Sequence, residues 1–209
     1  MRYALPAIAV AYAVCACAAD DHLAPCDEDF AGAYGQRVEA IGRAAMPGPA
    51  DFWVTVIPSL TPEWSLGVSS VKGRYLLTHV AFDRSLWNSS WVETAPDRFT
   101  NDPSKGHAHA KATTTPISAE LYAALRSEWE RSVTATRQST SGLDGITYYF
   151  RLPGKCASTW SPEAGTRNRQ LVDFVSALVR LAHDRSAEPA ATKEADALRQ
   201  LRELPPIID

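Results

Sequence analysis

Two histidines one residue apart, His107 and His109, have the spacing in this chain best suited to metal chemistry. On an extended strand, positions i and i+2 point the same way, so both imidazoles could hold one ion. The pair predicts a secreted, metal-assisted hydrolase, provided a third ligand converges from His79, Asp83 or Glu93. Two ligands alone leave a zinc ion undefined, and without a third the pair is a wet stretch of strand. His79 falls in Tyr75 to Phe82, a run apolar on most of both sides, and is expected to be a hydrogen-bonded core histidine rather than a base.

Other patterns fail on context. Ser69-Ser70-Val71-Lys72 has the S-x-x-K spacing of serine β-lactamases and penicillin-binding proteins, which needs Lys one helical turn from Ser. Here it falls on a strand and its turn, without companion S-D-N or K-T-G segments. No phosphate-cradling Gly-rich loop, G-x-S-x-G or H-E-x-x-H segment occurs. The sequon Asn88-Ser89-Ser90 reads as incidental. The sequence therefore assembles no catalytic residues and calls for no cofactor. Tyr148, Tyr149 and Trp160, with Trp87 and Trp91, are the aromatics that could line a binding groove, although at 9% aromatic content core packing accounts for most such residues.

Compartment is written in the first residues and in the cysteines. Met1 and Arg2 supply positive charge, Leu5 to Val14 an apolar run, and Cys15 to Ala19 small residues before Asp20 and Asp21. The run contains Pro6 and barely reaches bilayer length, so residues 1–18 read as a cleavable export signal rather than a membrane span. Val14-Cys15-Ala16-Cys17 resembles the lipobox of bacterial lipoprotein precursors, a resemblance that implies lipidation of Cys17. Ala16-Cys17-Ala18 is also an A-x-A site, which would release a soluble chain instead. Either cut leaves Cys26 and Cys156 as an even pair for an oxidising compartment. A bridge between them would close a loop of about 130 residues and contribute roughly 5 kcal/mol by loop entropy.

The elements that must position these residues follow from periodicity. Residues 19–26 read as a tether, 27–184 as a single α+β domain, and 185–209 as a linker with a loosely docked C-terminal helix. A first helix carries Phe30, Tyr34, Val38 and Ile41 at helical spacing. Strands follow at Phe52 to Ile57, at Trp64 to Ser69 and at Tyr75 to Phe82, with Lys72-Gly73 as the turn of a hairpin. Asp83 to Ser104 reads mostly as loop with a short strand near Trp91, and His107 to Thr115 as a strand with a wet face. Ser118 caps a helix striped by Leu121, Leu125, Trp129 and Val133, which ends before Ser141-Gly142. Ile146 to Leu152 is a half-buried strand by strict alternation, and Arg167 to His183 is the most amphipathic helix. This order predicts a twisted, mainly antiparallel sheet with helices packed on one face.

The net charge of -3 lacks the basic excess that phosphate backbones select, which excludes nucleic acid as a partner. Together these features predict an exported protein of the cell envelope, held to a membrane by a lipid on Cys17 or free in the periplasm. It would act as a binding module toward another envelope protein, including a toxin that it inhibits.

Overall fold

The computed structural model describes residues 21–26, 28–96, 98–138 and 144–207. The leader with Cys17, the expected helix start at Asp27 and the Ser141-Gly142 stop lie outside them. Among the described residues, no helix is long and apolar enough to cross a membrane.

The fold is α+β around a seven-stranded sheet in which every strand pairing is antiparallel. Its strands are β1 (Ala24–Pro25), β2 (Phe52–Pro58), β3 (Trp64–Val71), β4 (Arg74–Phe82), β7 (Ala110–Ile117), β8 (Ile146–Leu152) and β9 (Lys155–Trp160), in the order β1-β9-β8-β2-β3-β4-β7. Strands β5 (Trp91–Ala95) and β6 (Arg98–Asn101) form a separate hairpin. The helices are α1 (Glu28–Ala44), α2 (Leu86–Ser89), α3 (Ala119–Thr134), α4 (Arg167–His183) and α5 (Ala190–Glu203).

Local chemistry accounts for the joints. Lys72 and Gly73 both take positive φ, 49° and 76°, the turn whose twist matches a two-residue hairpin. Ser118 and Thr166 accept hydrogen bonds from Leu121 N and Arg169 N, capping α3 and α4 and satisfying one of the free N–H groups of each first turn. In α1 the helix breaks at Gly32, where φ is +43°.

The helices do not all lie on one face, as the sequence pattern suggested. Phe52, Val54, Leu66, Val68, Leu77 and Phe150 point toward α3, α4 and α5 and form the main core with Leu125, Trp129, Leu171 and Leu178. Alternation sends Trp53, Val80 and Phe82 to the other side, where they pack with Val38 of α1, Met46 and Leu86. Central strands apolar on both faces need two covers. Gly67 marks how closely the second cover approaches: a Cβ there would sit 2.6 Å from the Met46 sulfur.

Residues 21–25 and α5, on either side of the domain, fit more tightly than expected. Residues 21–25, read from sequence as tether, bury His22 and Leu23 and pair as β1 with β9. Asp21 accepts a hydrogen bond from Arg167 N, and Asn168 donates to His22 O. Cys26 and Cys156 lie at disulfide distance, with Cα atoms 5.5 Å apart, as their even count predicts. Helix α5, expected to dock loosely, buries Ala197 and Leu201 in the main core, and its buried Glu194 accepts from Ser118 N at the start of α3.

Candidate functional site

Between β4 and β7 the chain leaves the sheet for an excursion made of α2, the β5–β6 hairpin and a 3-10 turn at Pro103–Lys105. Its aromatic residues are the most exposed large rings of the described chain: Trp87 at 39%, Trp91 at 46% and Phe99 at 60%. Hairpin register sets Trp91 opposite Asn101 and Glu93 opposite Phe99, so Trp91 and Phe99 are diagonal neighbours on one side. Trp87 meets Trp91 edge-on at 5.8 Å and Tyr34 of α1 at 5.2 Å. The rings thus form a platform rather than scattered side chains.

A buried carboxylate holds this platform in place. Glu63, fully buried just before β3, accepts hydrogen bonds from Leu86 N at 2.8 Å, Trp87 N at 3.3 Å, Ser85 Oγ at 3.2 Å and the Tyr34 hydroxyl. The first N–H groups of α2 are thereby satisfied, and α1, the sheet and the excursion meet at one group. Burial, then the bond to Glu63, pushes the Tyr34 hydroxyl well above the usual phenol range, so it stays a donor. Asp102 N donates to Ser90 O, and the Asn101 side chain to Trp87 O, closing the base of the hairpin. Gly106 fits against Leu86 and Ser90, whose atoms a Cβ would meet at 2.7 Å and 2.4 Å.

The histidine pair is placed differently from its expectation. Strand β7 begins at Ala110, so His107 and His109 precede it on an exposed approach. Their backbone N–H groups are held by Ser89 Oγ and Asp83 Oδ1. Among the described residues, no group of three His, Cys, Asp or Glu side chains is placed to hold a metal ion. Ser69 is buried on β3 and Lys72 sits in its turn, so the S-x-x-K residues share no helix.

Tyr148, Tyr149 and Trp160 do not line one groove. Strand alternation puts Tyr148 in the core beneath the helices and Tyr149 on the opposite face, both buried. Trp160 lies across from Thr147 on Tyr149's side. Of the aromatics picked out by sequence, Trp87 and Trp91 are the exposed ones whose rings are in edge contact. Phe99 and Glu63 were not anticipated, since an isolated Phe between turn residues and a lone Glu after Pro62 carry no periodic signal.

Two further polar clusters lie away from the platform, one of them with His183 at the surface. His79 Nδ1 and His183 Nε2 lie 2.8 Å apart where β4 meets the end of α4, and Trp64 packs on the His79 ring at 5.6 Å. Burial first, then the charge of His183, pushes His79 down to about 4, so it is neutral at pH 7. Glu128 and Arg167 form a buried ion pair joined by Arg131 and Ser132, and Arg167 Nε also donates to Pro205 O. Burial, then Arg131, pulls Arg167 down to about 10, still a cation. No protein-family model, curated protein or solved structure matches the chain.

Proposed function

We propose that this chain is an exported binding module of a bacterial cell envelope, tethered by lipid on Cys17, that grips a protein partner through its aromatic excursion. The observation carrying this reading is the platform of Trp87, Trp91 and Phe99 on a base fixed by buried Glu63. Exposing three large rings has a solvation cost, and aromatic anchors of this kind dominate protein interfaces. A rigid base lets them meet a partner with little ordering cost. The export signal and the cysteine pair at disulfide distance support an oxidising compartment. The partner is another envelope protein, of which a toxin held inactive is one form.

The test is site-specific photocrosslinking in the envelope. A photoreactive aromatic replaces Trp91 or Phe99, with Ile146, exposed elsewhere, as control. One discrete protein adduct from positions 91 and 99, absent at 146, is the expected result. Absence of adducts, or the same adducts from all three positions, refutes it. Intact mass of the envelope-derived chain tests the tether: acylation on a chain starting at Cys17 is expected, and an unacylated chain starting at Ala19 refutes it.

A further inference from the structure

The two edges of the main sheet are treated differently. On one, β1 covers Ala157 and Ser158 of β9 and is followed at once by the Cys26–Cys156 pair. On the other, β7 runs for eight residues in unbroken register with β4, without a bulge. Asp83 N donates to His109 O beyond the end of the β4–β7 ladder, and Phe82 N donates the other way, to Glu63 O. Antiparallel alternation then assigns the odd residues of β7 to the bonds with β4 and turns the N–H and C=O of Ala110, Ala112 and Thr114 outward. Among the described residues, none of these outward groups has a hydrogen-bond partner.

An unpaired edge is a template for another strand, and proteins usually blunt it. Here the blunting is partial. Pro116 lacks an N–H and ends the usable edge, and Lys111 is its one charged residue. Between them the side chains are Ala and Thr, small enough for close approach. The excursion leaves from the end of β4 and returns to the start of β7, so the aromatic platform stands at the Ala110 end of this edge. Ala110 packs against the second core, to which Leu86 also belongs, so the side chains of the outward-bonding residues and the base of the platform lie on the same face of the sheet.

Resting on the protein-binding reading above, we propose that the free edge of β7 takes an extended segment of the partner protein as an eighth strand. Main-chain bonds to Ala110, Ala112 and Thr114 supply affinity. Trp87, Trp91 and Phe99 select apolar side chains at alternate positions on the platform side, while Lys111 on the other face favours an acidic residue opposite it.

The probe is a displayed library of random peptides panned on the full oxidised chain, with the enriched peptide then made synthetically. Enrichment of alternating apolar sequences is expected, with amide exchange at Ala110, Ala112 and Thr114 slowed at least about tenfold on binding. Ala112→Pro, which removes an outward N–H and no bond to β4, should weaken binding at least about tenfold, and Trp91→Ala should weaken it several-fold. Lys155→Ala, at the far edge, should leave it unchanged. Three results overturn the proposal: these amides already protected in the free monomer, a bound peptide that leaves them exchanging freely, or no enrichment. A concentration-dependent dimer abolished by Ala112→Pro also overturns it, because the occupant would then be a second copy. Adducts at Trp91 in the envelope without edge protection would sink the eighth strand and leave the protein-binding reading standing.

Discussion

Acidification should destabilise this protein in part through one buried residue, His79. In the folded chain its ring is buried beside Trp64 and bonded to His183, and it takes a proton only near pH 4, against 6.5 for a free histidine. Above pH 6.5 the ring is neutral in both states and contributes no pH dependence. Below it the unfolded chain gains a proton that the folded chain refuses, so stability falls as pH drops toward the folded value and then levels off. Linkage over that interval gives a loss of about 2 kcal/mol at pH 5 and about 3 kcal/mol at pH 4, as upper values for this group. The cause is first the burial of the ring, which disfavours its charged form, and then the charge of His183, whose Nε2 lies 2.8 Å from His79 Nδ1. The assay is urea unfolding between pH 4 and 8, read by tryptophan fluorescence, for the native chain and for His79→Phe, which fills the site without a titrating group. Expected is a native curve that falls more steeply with acid than the variant's, by the amounts above. Parallel curves, or a His79 ring proton that titrates near 6.5 by NMR, would refute the reasoning.

Three further perturbations read the framework. Reducing the Cys26–Cys156 bridge, or replacing both with Ser, should cost up to about 5 kcal/mol of stability, since the closed loop spans 130 residues; a melting temperature unchanged by reductant would show that the bridge constrains nothing. Glu63→Ala strands Leu86 N, Trp87 N and the Tyr34 hydroxyl, so about 2–3 kcal/mol should be lost, with faster amide exchange in α2 and the hairpin ahead of the sheet; uniform exchange throughout would contradict that role. Arg167→Met alone should cost about 1–3 kcal/mol, because Glu128 loses its fully buried partner and keeps only Arg131 and Ser132, and adding Glu128→Leu should restore most of it. A double variant no better than the single one would show that the pair does more than balance charge.

Where the pattern is repetitive, the chain announced its fold. The α4 stripe of Leu171, Val175 and Leu178 has both ends where periodicity put them, because an apolar face at helical spacing has one way to be buried. Strict alternation in Ile146 to Leu152 and the Lys72-Gly73 turn likewise specified β8 and the β3–β4 hairpin. The cysteine pair was legible by elimination, there being one partner for each.

Placement of the site was decided by tertiary structure. Sequence alone could not say that Tyr148 and Tyr149 would be used up in packing, because a strand buried on both faces looks the same whether one layer or two covers it. The segment after Asp83 read as loop since its hairpin is held from outside itself, by Glu63 across 22 residues to Ser85 and by Ser90 O to Asp102. Such non-local bonds leave no periodic trace. Composition and local spacing therefore determined most of the elements and the cysteine pairing. Which aromatics stay in water, and which sheet edge stays open, depended on contacts between segments far apart in sequence, where burial of one residue is settled by another's position.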